Sequence, residues 1–260
     1  MNRISPYELP DISPYLTKNE RILLLGSSGW FGQTFMHMLS NPVIILPISS
    51  RESEATSIWN EEKVRRFEPT IVINLAFVTR NKIKSYKREE YIAINKRLID
   101  RMKFAGQLES VHTLLTLSSG ATLSPEAQSG LDSMEIYGAL KKIEEEAAFS
   151  CMESRKNVVV LRAFSVSGPF VRDPNSYAFS SFISQAIRKR EIKIESMSYV
   201  YRKYASVGDL LAVGIIRGKQ GWSGVIESGG TLLELGELAQ KIGHYFDAKI
   251  QKNNARANTK

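Results

Sequence analysis

Cysteine, histidine and long hydrophobic runs are scarce or absent in this sequence, and each shortage excludes a class of protein. A single cysteine, Cys151, permits no disulfide within the chain, and with three scattered histidines it does not make a structural zinc site. No apolar run approaches the roughly 20 residues that span a bilayer. The N-terminal residues lack the pattern of a signal peptide, because prolines and acidic residues interrupt them. We therefore expect a cytoplasmic protein with no metal site and no membrane partner.

Positive charge is in excess but is not concentrated. The net charge of +8 results from 35 Lys and Arg residues against 27 Asp and Glu residues, and the basic residues are spread along the chain. Proteins that bind nucleic acid gather such residues on one element or patch, and no motif of such a protein is present. We therefore expect no nucleic-acid partner, and the charge suits an anionic small molecule.

Short apolar strands alternate with helical segments over the first two thirds of the chain. The hydrophobic pattern predicts strands at residues 21–25, 43–48, 71–76, 113–117 and 158–161. Helices are predicted between them, at residues 30–39, 64–67, 91–104 and 136–152. Near-continuous Val, Ile and Leu strands that alternate with helices are typical of a parallel sheet covered on both faces. The predicted fold is a doubly wound parallel α/β sheet of the Rossmann type.

The alternation weakens after Gly168. The later segments, which do not amount to a second large domain, are a helix at 179–189, strands near 192–194 and 225–227, and a helix at 233–246. We divide the chain into an N-terminal lead (1–20), a Rossmann core (21–168), a small substrate-binding lobe with interleaved core elements (169–248) and a basic polar tail (249–260). The tail is expected to be disordered because it is polar and terminal.

A glycine-rich loop follows the first predicted strand. Gly26, Gly29 and Gly32 stand between that strand and the next helix. A dinucleotide needs its pyrophosphate held by backbone N–H groups at a helix N-terminus, and only glycine lets the backbone come close enough. The loop therefore predicts a dinucleotide site made by Gly26, Ser28, Gly29, Trp30, Phe31 and Gly32.

The end of the second predicted strand bears on which dinucleotide binds. An acidic residue there would bind a ribose 2′-OH, whereas an arginine would suit a 2′-phosphate. The sequence from Leu46 to Arg51 has no carboxylate, and the first acidic residue is Glu52. This favours NADP over NAD, with Arg51 and either Ser49 or Ser50 as contacts.

A tyrosine and a lysine four residues apart form a candidate catalytic pair. Tyr137 and Lys141 lie in the helix predicted at 136–152, so their side chains share one face. An ammonium beside a phenol favours the phenolate and lowers its pKa. Tyr199 and Lys203 have the same spacing, but their pattern is extended, and four residues in a strand span roughly 13 Å.

Ser119 is the third candidate catalytic residue. It follows the strand predicted at 113–117, at the carboxyl end of the sheet, where catalytic groups collect. Its hydroxyl is placed to share a substrate carbonyl or hydroxyl with Tyr137.

Taken together, these motifs resemble those of the extended short-chain dehydrogenases/reductases, also called the NAD-dependent epimerase/dehydratase family, most of which act on nucleotide sugars. The similarity runs from about residue 21 to residue 246. The matching segments, in chain order, are Gly26-x-x-Gly29-x-x-Gly32, Asn74-Leu75-Ala76, Asn95, Leu117-Ser118-Ser119, Tyr137-x-x-x-Lys141, Leu161-Arg162-x-x-Ser165-x-x-Gly168 and the stretch from Arg202 to Asp209.

The resemblance implies a division of labour among the catalytic residues. Tyr137 would act as general acid or base, and Lys141 would lower its pKa and hold the nicotinamide ribose. Ser119 would orient the reacting oxygen. Beside the cofactor, the resemblance places Leu75, Ala76 and Asn95, in addition to Tyr137 and Lys141.

The resemblance also implies a substrate site and an assembly. Arg202 would neutralise the diphosphate of a nucleotide sugar, and Ser165 would be a further substrate contact. A homodimer is implied as well, through the helices at 91–105 and 136–152.

Three departures from the family's pattern narrow the reaction. Ser165 replaces a frequent asparagine, and Thr122-Leu123-Ser124 replaces a Val-Tyr-Gly stretch, so the substrate pocket is expected to differ. The chain is also shorter than a typical nucleotide-sugar epimerase, which implies a reduced substrate lobe. Gly120 and Ala121 stand where dehydratases have an Asp-Glu pair, so dehydration is not expected.

The reaction expected is reduction of a keto group on a nucleotide-linked deoxysugar by NADPH, within polysaccharide biosynthesis. A nucleotide-sugar 4-epimerase that keeps NAD bound is the alternative. A non-catalytic NADP-binding regulatory protein is a further alternative, and the intact set of Ser119, Tyr137 and Lys141 argues against it.

Overall fold

The computed structural model describes residues 8–49, 59–128, 131, 135–154 and 156–252. The chain forms two compact units. The larger unit contains the chain up to Phe164 together with Val207–Ser228, and the smaller unit contains Ser165–Ser206 together with the chain from Gly229 onward. The larger unit has one sheet and the smaller unit has two, and each unit has its own buried apolar side chains.

The larger unit is built on one parallel sheet. Its six strands, numbered along the whole chain, are β1 (Arg21–Leu25), β2 (Ile44–Ile48), β3 (Ile71–Asn74), β4 (Thr113–Ser119), β5 (Asn157–Ala163) and β9 (Gly224–Glu227). They lie in the order β2-β1-β3-β4-β5-β9, and every neighbouring pair is parallel. The predicted doubly wound α/β fold is confirmed.

Helices connect these strands and cover the sheet. They are α1 (Trp30–His37), α2 (Glu61–Phe67), α3 (Arg88–Gln107), α4 (Pro125–Gln128), α5 (Ile136–Phe149) and α7 (Val207–Lys219). Shorter 3-10 helices span Ser13–Tyr15, Arg80–Ser85, Gly120–Leu123 and Ser150–Ser154. Consecutive residues such as Leu114 and Leu115 are both buried, as they must be when both faces of a sheet are covered.

Helix α7 is the longest element of the larger unit that the sequence pattern missed; the short helix α4 was not predicted either. Helix α7 contains Gly208, Gly214 and Gly218, and glycines inside a helical pattern weaken the prediction of a helix. In the structure Gly214 and Gly218 allow close packing on the sheet, whereas Gly208 lies against Leu9 and Pro10. A Cβ atom at Gly214 would lie 2.8 Å from the side chain of Leu161 and 2.9 Å from that of Leu115. Packing against the strands thus outweighs the low helical propensity of glycine.

The smaller unit combines two short sheets with two helices. Its strands are β6 (Ser165–Ser167), β7 (Glu191–Ile194), β8 (Tyr201–Ser206), β10 (Thr231–Glu234) and β11 (Lys249–Lys252). One sheet has the order β10-β8-β6, and β7 pairs with β11. The helices α6 (Ala178–Lys189) and α8 (Leu235–Phe246) bury apolar residues that include Phe182, Ile192 and Leu238, and a short 3-10 helix spans Pro174–Ser176.

Two predicted boundaries differ from the structure. The smaller unit begins at Ser165 rather than at 169, because β6 leaves the main sheet and pairs with β8, and Val207–Ser228 belongs to the larger unit. The predicted disordered tail begins with strand β11, whose Ile250 packs on the apolar cluster of the smaller unit. Residues 253–260 lie outside the described residues. None of the described helices is both long and apolar enough to cross a membrane.

The glycine loop after β1 is tightly built. Gly26 has φ of +82°, and a Cβ atom there would lie 2.7 Å from the backbone nitrogen of Ala76. A Cβ atom at Gly32 would lie 2.7 Å from the carbonyl oxygen of Ser27. Gly29 is different, because its φ is −75° and its nearest neighbour would be the Gly26 oxygen at 3.2 Å. The fold therefore requires the outer two glycines more strictly than Gly29.

Substitution of these glycines tests that difference. We expect Gly26→Ala to lower the free energy of unfolding by about 3 kcal/mol, since it combines left-handed backbone strain with steric overlap. Gly29→Ala should cost about 1 kcal/mol or less, because its backbone is ordinary. Urea denaturation of both variants measures this, and equal stability of the two would contradict the account.

Candidate active site

The N-terminus of α1 has the features that an anionic pyrophosphate needs. Gly29 is its N-cap residue, and no side chain in the described part of the chain caps the first turn. That turn also contains no acidic residue. Backbone N–H groups at the positive end of a helix bind phosphate well, so the predicted loop residues fit a dinucleotide.

The loop is tied to the end of β2. The backbone N–H groups of Gly26 and Ser27 donate to the Ile48 carbonyl at 2.8 and 3.2 Å. The hydroxyl oxygens of Ser28 and Ser49 lie 2.7 Å apart, within hydrogen-bond distance. This contact brings the glycine loop beside the strand end that the sequence assigned to the adenosine ribose. Ser50 and Arg51 lie outside the described residues.

Asn95 is buried and supports the segment after β3. Its side-chain oxygen accepts from the Val78 N–H at 2.8 Å, and its amide nitrogen donates to the Tyr91 carbonyl at 3.1 Å. Because the amide is used by the backbone, Asn95 positions the segment that follows Leu75 and Ala76. A contribution to cofactor binding would be made through that segment.

Ser119 and Tyr137 are brought together as predicted from the sequence, although β4 and α5 carry them separately. The Ser119 hydroxyl is close enough to Tyr137 to lower the pKa of the phenol. Ser119 also accepts from the Ala121 N–H at 3.2 Å, which fixes the hydroxyl at the end of β4. The ring of Phe77 packs edge-on against Tyr137, with 5.7 Å between the ring centroids.

The pKa of Tyr137 differs from the expectation. The resemblance implied a value lowered by Lys141, but burial raises the pKa of Tyr137 to about 12, and the hydrogen bond from Ser119 offsets this only in part. The negative charge of Glu144 raises the pKa further. Below this value the phenol keeps its proton, so at neutral pH Tyr137 has a proton to donate to a bound oxygen.

Lys141 forms hydrogen bonds to Leu117 and Glu144. Its Nζ donates to the Leu117 carbonyl at 2.7 Å and to Glu144 Oε2 at 2.7 Å, and it lies 3.8 Å from the centroid of the Phe77 ring. Its side chain is only 4% exposed. Burial lowers the pKa of Lys141, whereas the adjacent Glu144 raises it. The Lys141 side chain is therefore held next to the Phe77 ring by Leu117 and Glu144.

Glu144 is the important residue that the sequence reasoning missed. Its carboxylate is buried, and Oε1 accepts from Asn74 Nδ2 at 2.7 Å and from the Thr116 hydroxyl at 3.3 Å. The sequence could have indicated it, because Glu144 follows Leu140 by one helical turn and so lies on the apolar face of α5 that packs inward. Burial raises the pKa of Glu144, and its contact with Lys141 opposes this change.

Arg162 has a structural role. Its guanidinium donates two hydrogen bonds to Glu145, at 2.8 and 2.6 Å, and Glu145 also accepts from the Ser118 hydroxyl at 2.5 Å. The Leu161-Arg162 segment of the resemblance therefore joins β5 to α5.

The predicted substrate residues belong to the smaller unit. Ser165 lies in β6 and pairs with Tyr204 of β8. Arg202 is exposed on β8 and pairs with Leu233 of β10. Tyr199 precedes β8 and Lys203 lies within it, so this second Tyr/Lys match is not helical.

The buried carboxylate of Glu144 leads to a stability prediction. Glu144→Ala leaves the Lys141 ammonium buried without its partner, and we expect it to lower the free energy of unfolding by about 3–5 kcal/mol. Glu146 is exposed on the same helix, so Glu146→Ala should change it by about 0.5 kcal/mol or less. Chemical denaturation compares the two variants. Equal stability would show that the buried pair is not formed.

The protonated state of Tyr137 leads to a spectroscopic prediction. An unperturbed tyrosine has a pKa near 10 and is about half ionised at pH 10, whereas a pKa of about 12 leaves about 1% phenolate there. The ultraviolet difference between the wild type and Tyr137→Phe measures the phenolate of this residue alone. We expect no difference in the phenolate absorbance band at pH 10, and a phenolate that forms below pH 9 would contradict the account.

Comparison with known proteins agrees with this geometry. The model of the NAD dependent epimerase/dehydratase family matches residues 22–216, which is most of the chain. A search of curated protein sequences finds no match.

Solved structures share the fold at low sequence identity. MoeE5 in complex with UDP-glucose and NAD has a TM-score of 0.69 at 18% identity, over 91% of this chain and 86% of that one. The UDP-N-acetylglucosamine 4-epimerase from Bacillus cereus has a TM-score of 0.70 at 21% identity, over 91% and 86%. The dTDP-4-dehydrorhamnose reductase from Bacillus anthracis, in complex with NADP, has a TM-score of 0.69 at 20% identity, over 92% and 87%. The chain belongs to the NAD-dependent epimerase/dehydratase family.

Proposed function

We propose that the protein is an NADPH-dependent reductase of a keto group on a nucleotide-linked deoxysugar. The protonated state of Tyr137 carries this proposal, because a reduction begins with a proton donor at the carbonyl oxygen. A 4-epimerase begins with the opposite step, in which the enzyme removes a proton from a substrate hydroxyl. Because the pKa of Tyr137 is raised, its phenol holds a proton in the free site and is available for the first of these steps.

The proposed chemistry uses the hydroxyls of the two candidate catalytic residues. Ser119 and Tyr137 would both bond to the keto oxygen of the substrate, and the Tyr137 O–H would pass its proton to that oxygen. A bound nicotinamide supplies the hydride to the carbonyl carbon. The resulting phenolate would be stabilised by the hydrogen bond from Ser119. Gly120 and Ala121 add no acid or base, which leaves dehydration unsupported.

Other roles in the proposal come from the family. Lys141 would hold the nicotinamide ribose, which requires it to exchange a hydrogen bond that it now makes to Leu117 or Glu144. Arg202 would bind the diphosphate of the substrate, with Ser165 nearby. The homodimer through α3 and α5, the cytoplasmic location and the role in polysaccharide biosynthesis also remain predictions.

Turnover tests the proposal. Nucleotide-linked 4-keto-6-deoxysugars are incubated with NADPH, and oxidation of NADPH is followed by absorbance. We expect Tyr137→Phe to lower kcat by about 100-fold or more, because the proton donor is lost. Tyr15→Phe is the matched control, since Tyr15 is exposed on the larger unit and should leave kcat unchanged.

Two results would overturn the proposal. Conversion of a nucleotide sugar to its 4-epimer without consumption of NADPH would identify the epimerase alternative. Biological activity that is intact in Tyr137→Phe would identify the regulatory alternative. Thermal melting of each variant shows that a loss of turnover is not a loss of fold.

A further inference from the structure

A small pocket lies at the carboxyl ends of β2, β1 and β3, beside the glycine loop. It is lined by Leu25, Gly26, Ile48, Ser49, Ala76, Leu98 and Arg101. The first five come from the ends of strands or from the turns that follow them, and the last two come from α3. The pocket therefore adjoins the place where the adenosine half of a dinucleotide binds in such sheets.

Most of the wall is apolar. Leu25, Ile48, Ala76 and Leu98 present hydrocarbon, which suits the flat face of a purine. The hydroxyl of Ser49 is held beside that of Ser28, so the polar edge of the pocket continues into the phosphate loop.

Arg101 is the charged residue of this wall. It is half-buried, and burial lowers the pKa of its guanidinium, as does the charge of Arg97 one helical turn earlier. No carboxylate in the described part of the chain forms an ion pair with it. Its guanidinium carbon lies 5.6 Å from the centroid of the Trp59 ring, which orients the side chain.

A half-buried cation with a second cation one helical turn away, both near an open pocket, is a favourable place for an anion to bind. We propose that Arg101 binds the 2′-phosphate of the cofactor's adenosine and so selects NADP over NAD. The inference rests on the nucleotide binding in the proposed function, and it assigns the selection of the 2′-phosphate to a residue other than Arg51. The sequence assigned this role to Arg51, in the segment after β2, whereas Arg101 comes from the helix after β3 and lies in the described pocket.

Binding of adenine nucleotides tests the inference without turnover. Calorimetry measures the affinities of adenosine 2′,5′-bisphosphate, AMP, NADPH and NADH for the wild type. We expect the bisphosphate to bind at least about tenfold more tightly than AMP, because an arginine forms strong charge-assisted hydrogen bonds to phosphate. Arg101→Met keeps an unbranched side chain but removes the guanidinium, and it should weaken binding of the bisphosphate about 30-fold while changing the affinity for AMP less than about threefold.

Matched variants sharpen the result. Arg97→Met removes a neighbouring exposed charge and should change both affinities less than about threefold, since it does not line the pocket. Arg101→Lys keeps the charge but not the bidentate geometry, and should keep part of the preference. The same affinities measured on Arg51→Ala show whether Arg51, the residue that the sequence analysis assigned to the 2′-phosphate, contributes to the preference.

The outcomes separate the inference from the proposed function. A preference for the bisphosphate that survives Arg101→Met overturns the inference, and so does an equal loss of AMP, which would mean that Arg101 supports the base. A wild type that binds none of the four nucleotides overturns the proposed function as well. Selective loss of the bisphosphate and NADPH in Arg101→Met supports the inference even if no sugar substrate is turned over.

Discussion

Two adjacent carboxylates, Glu144 and Glu145, attach helix α5 to the parallel sheet. Glu145 receives two hydrogen bonds from Arg162 on β5, and Glu144 receives hydrogen bonds from Asn74 at the end of β3 and from Lys141 on its own helix. Buried charges are costly unless every one is paired, and here both carboxylates have several donors. This network fixes the rotation of α5, and therefore the position of the Tyr137 hydroxyl beside Ser119.

The same network sets the electrostatics of the site. Lys141 forms an ion pair with Glu144, and the negative charge of Glu144 favours the protonated phenol of Tyr137. The chain thus keeps the Tyr/Lys spacing of its family but uses the lysine within a buried ion pair. An acid at this position fits a carbonyl reduction, in which the enzyme must deliver a proton while hydride arrives at the neighbouring carbon.

The elements that have a regular hydrophobic pattern or a glycine motif could be predicted from the sequence. The glycine loop, the buried strands and the approach of Ser119 to Tyr137 follow from hydrophobic pattern and sheet geometry. Three features could not be predicted, because each depends on contacts distant in sequence. Helix α7 is stabilised by the close packing of Gly214 on β4 and β5. Strand β11 is stabilised by its pairing with β7. Which residue pairs with Lys141 depends on which face of α5 packs on the sheet. Charge patterns along one helix do not reveal which carboxylate is buried.

The central claim is that the protein draws on free NADPH and reduces its substrate, and the nucleotide content of the purified protein tests it most directly. A reductase must release its oxidised cofactor after each turnover, whereas an epimerase returns the hydride and keeps its cofactor. Denaturation of the purified protein, followed by mass spectrometry of the released nucleotides, measures what is retained. We predict little bound nucleotide and uptake of added NADPH. Stoichiometric NAD⁺ that stays with the protein through purification would contradict the account.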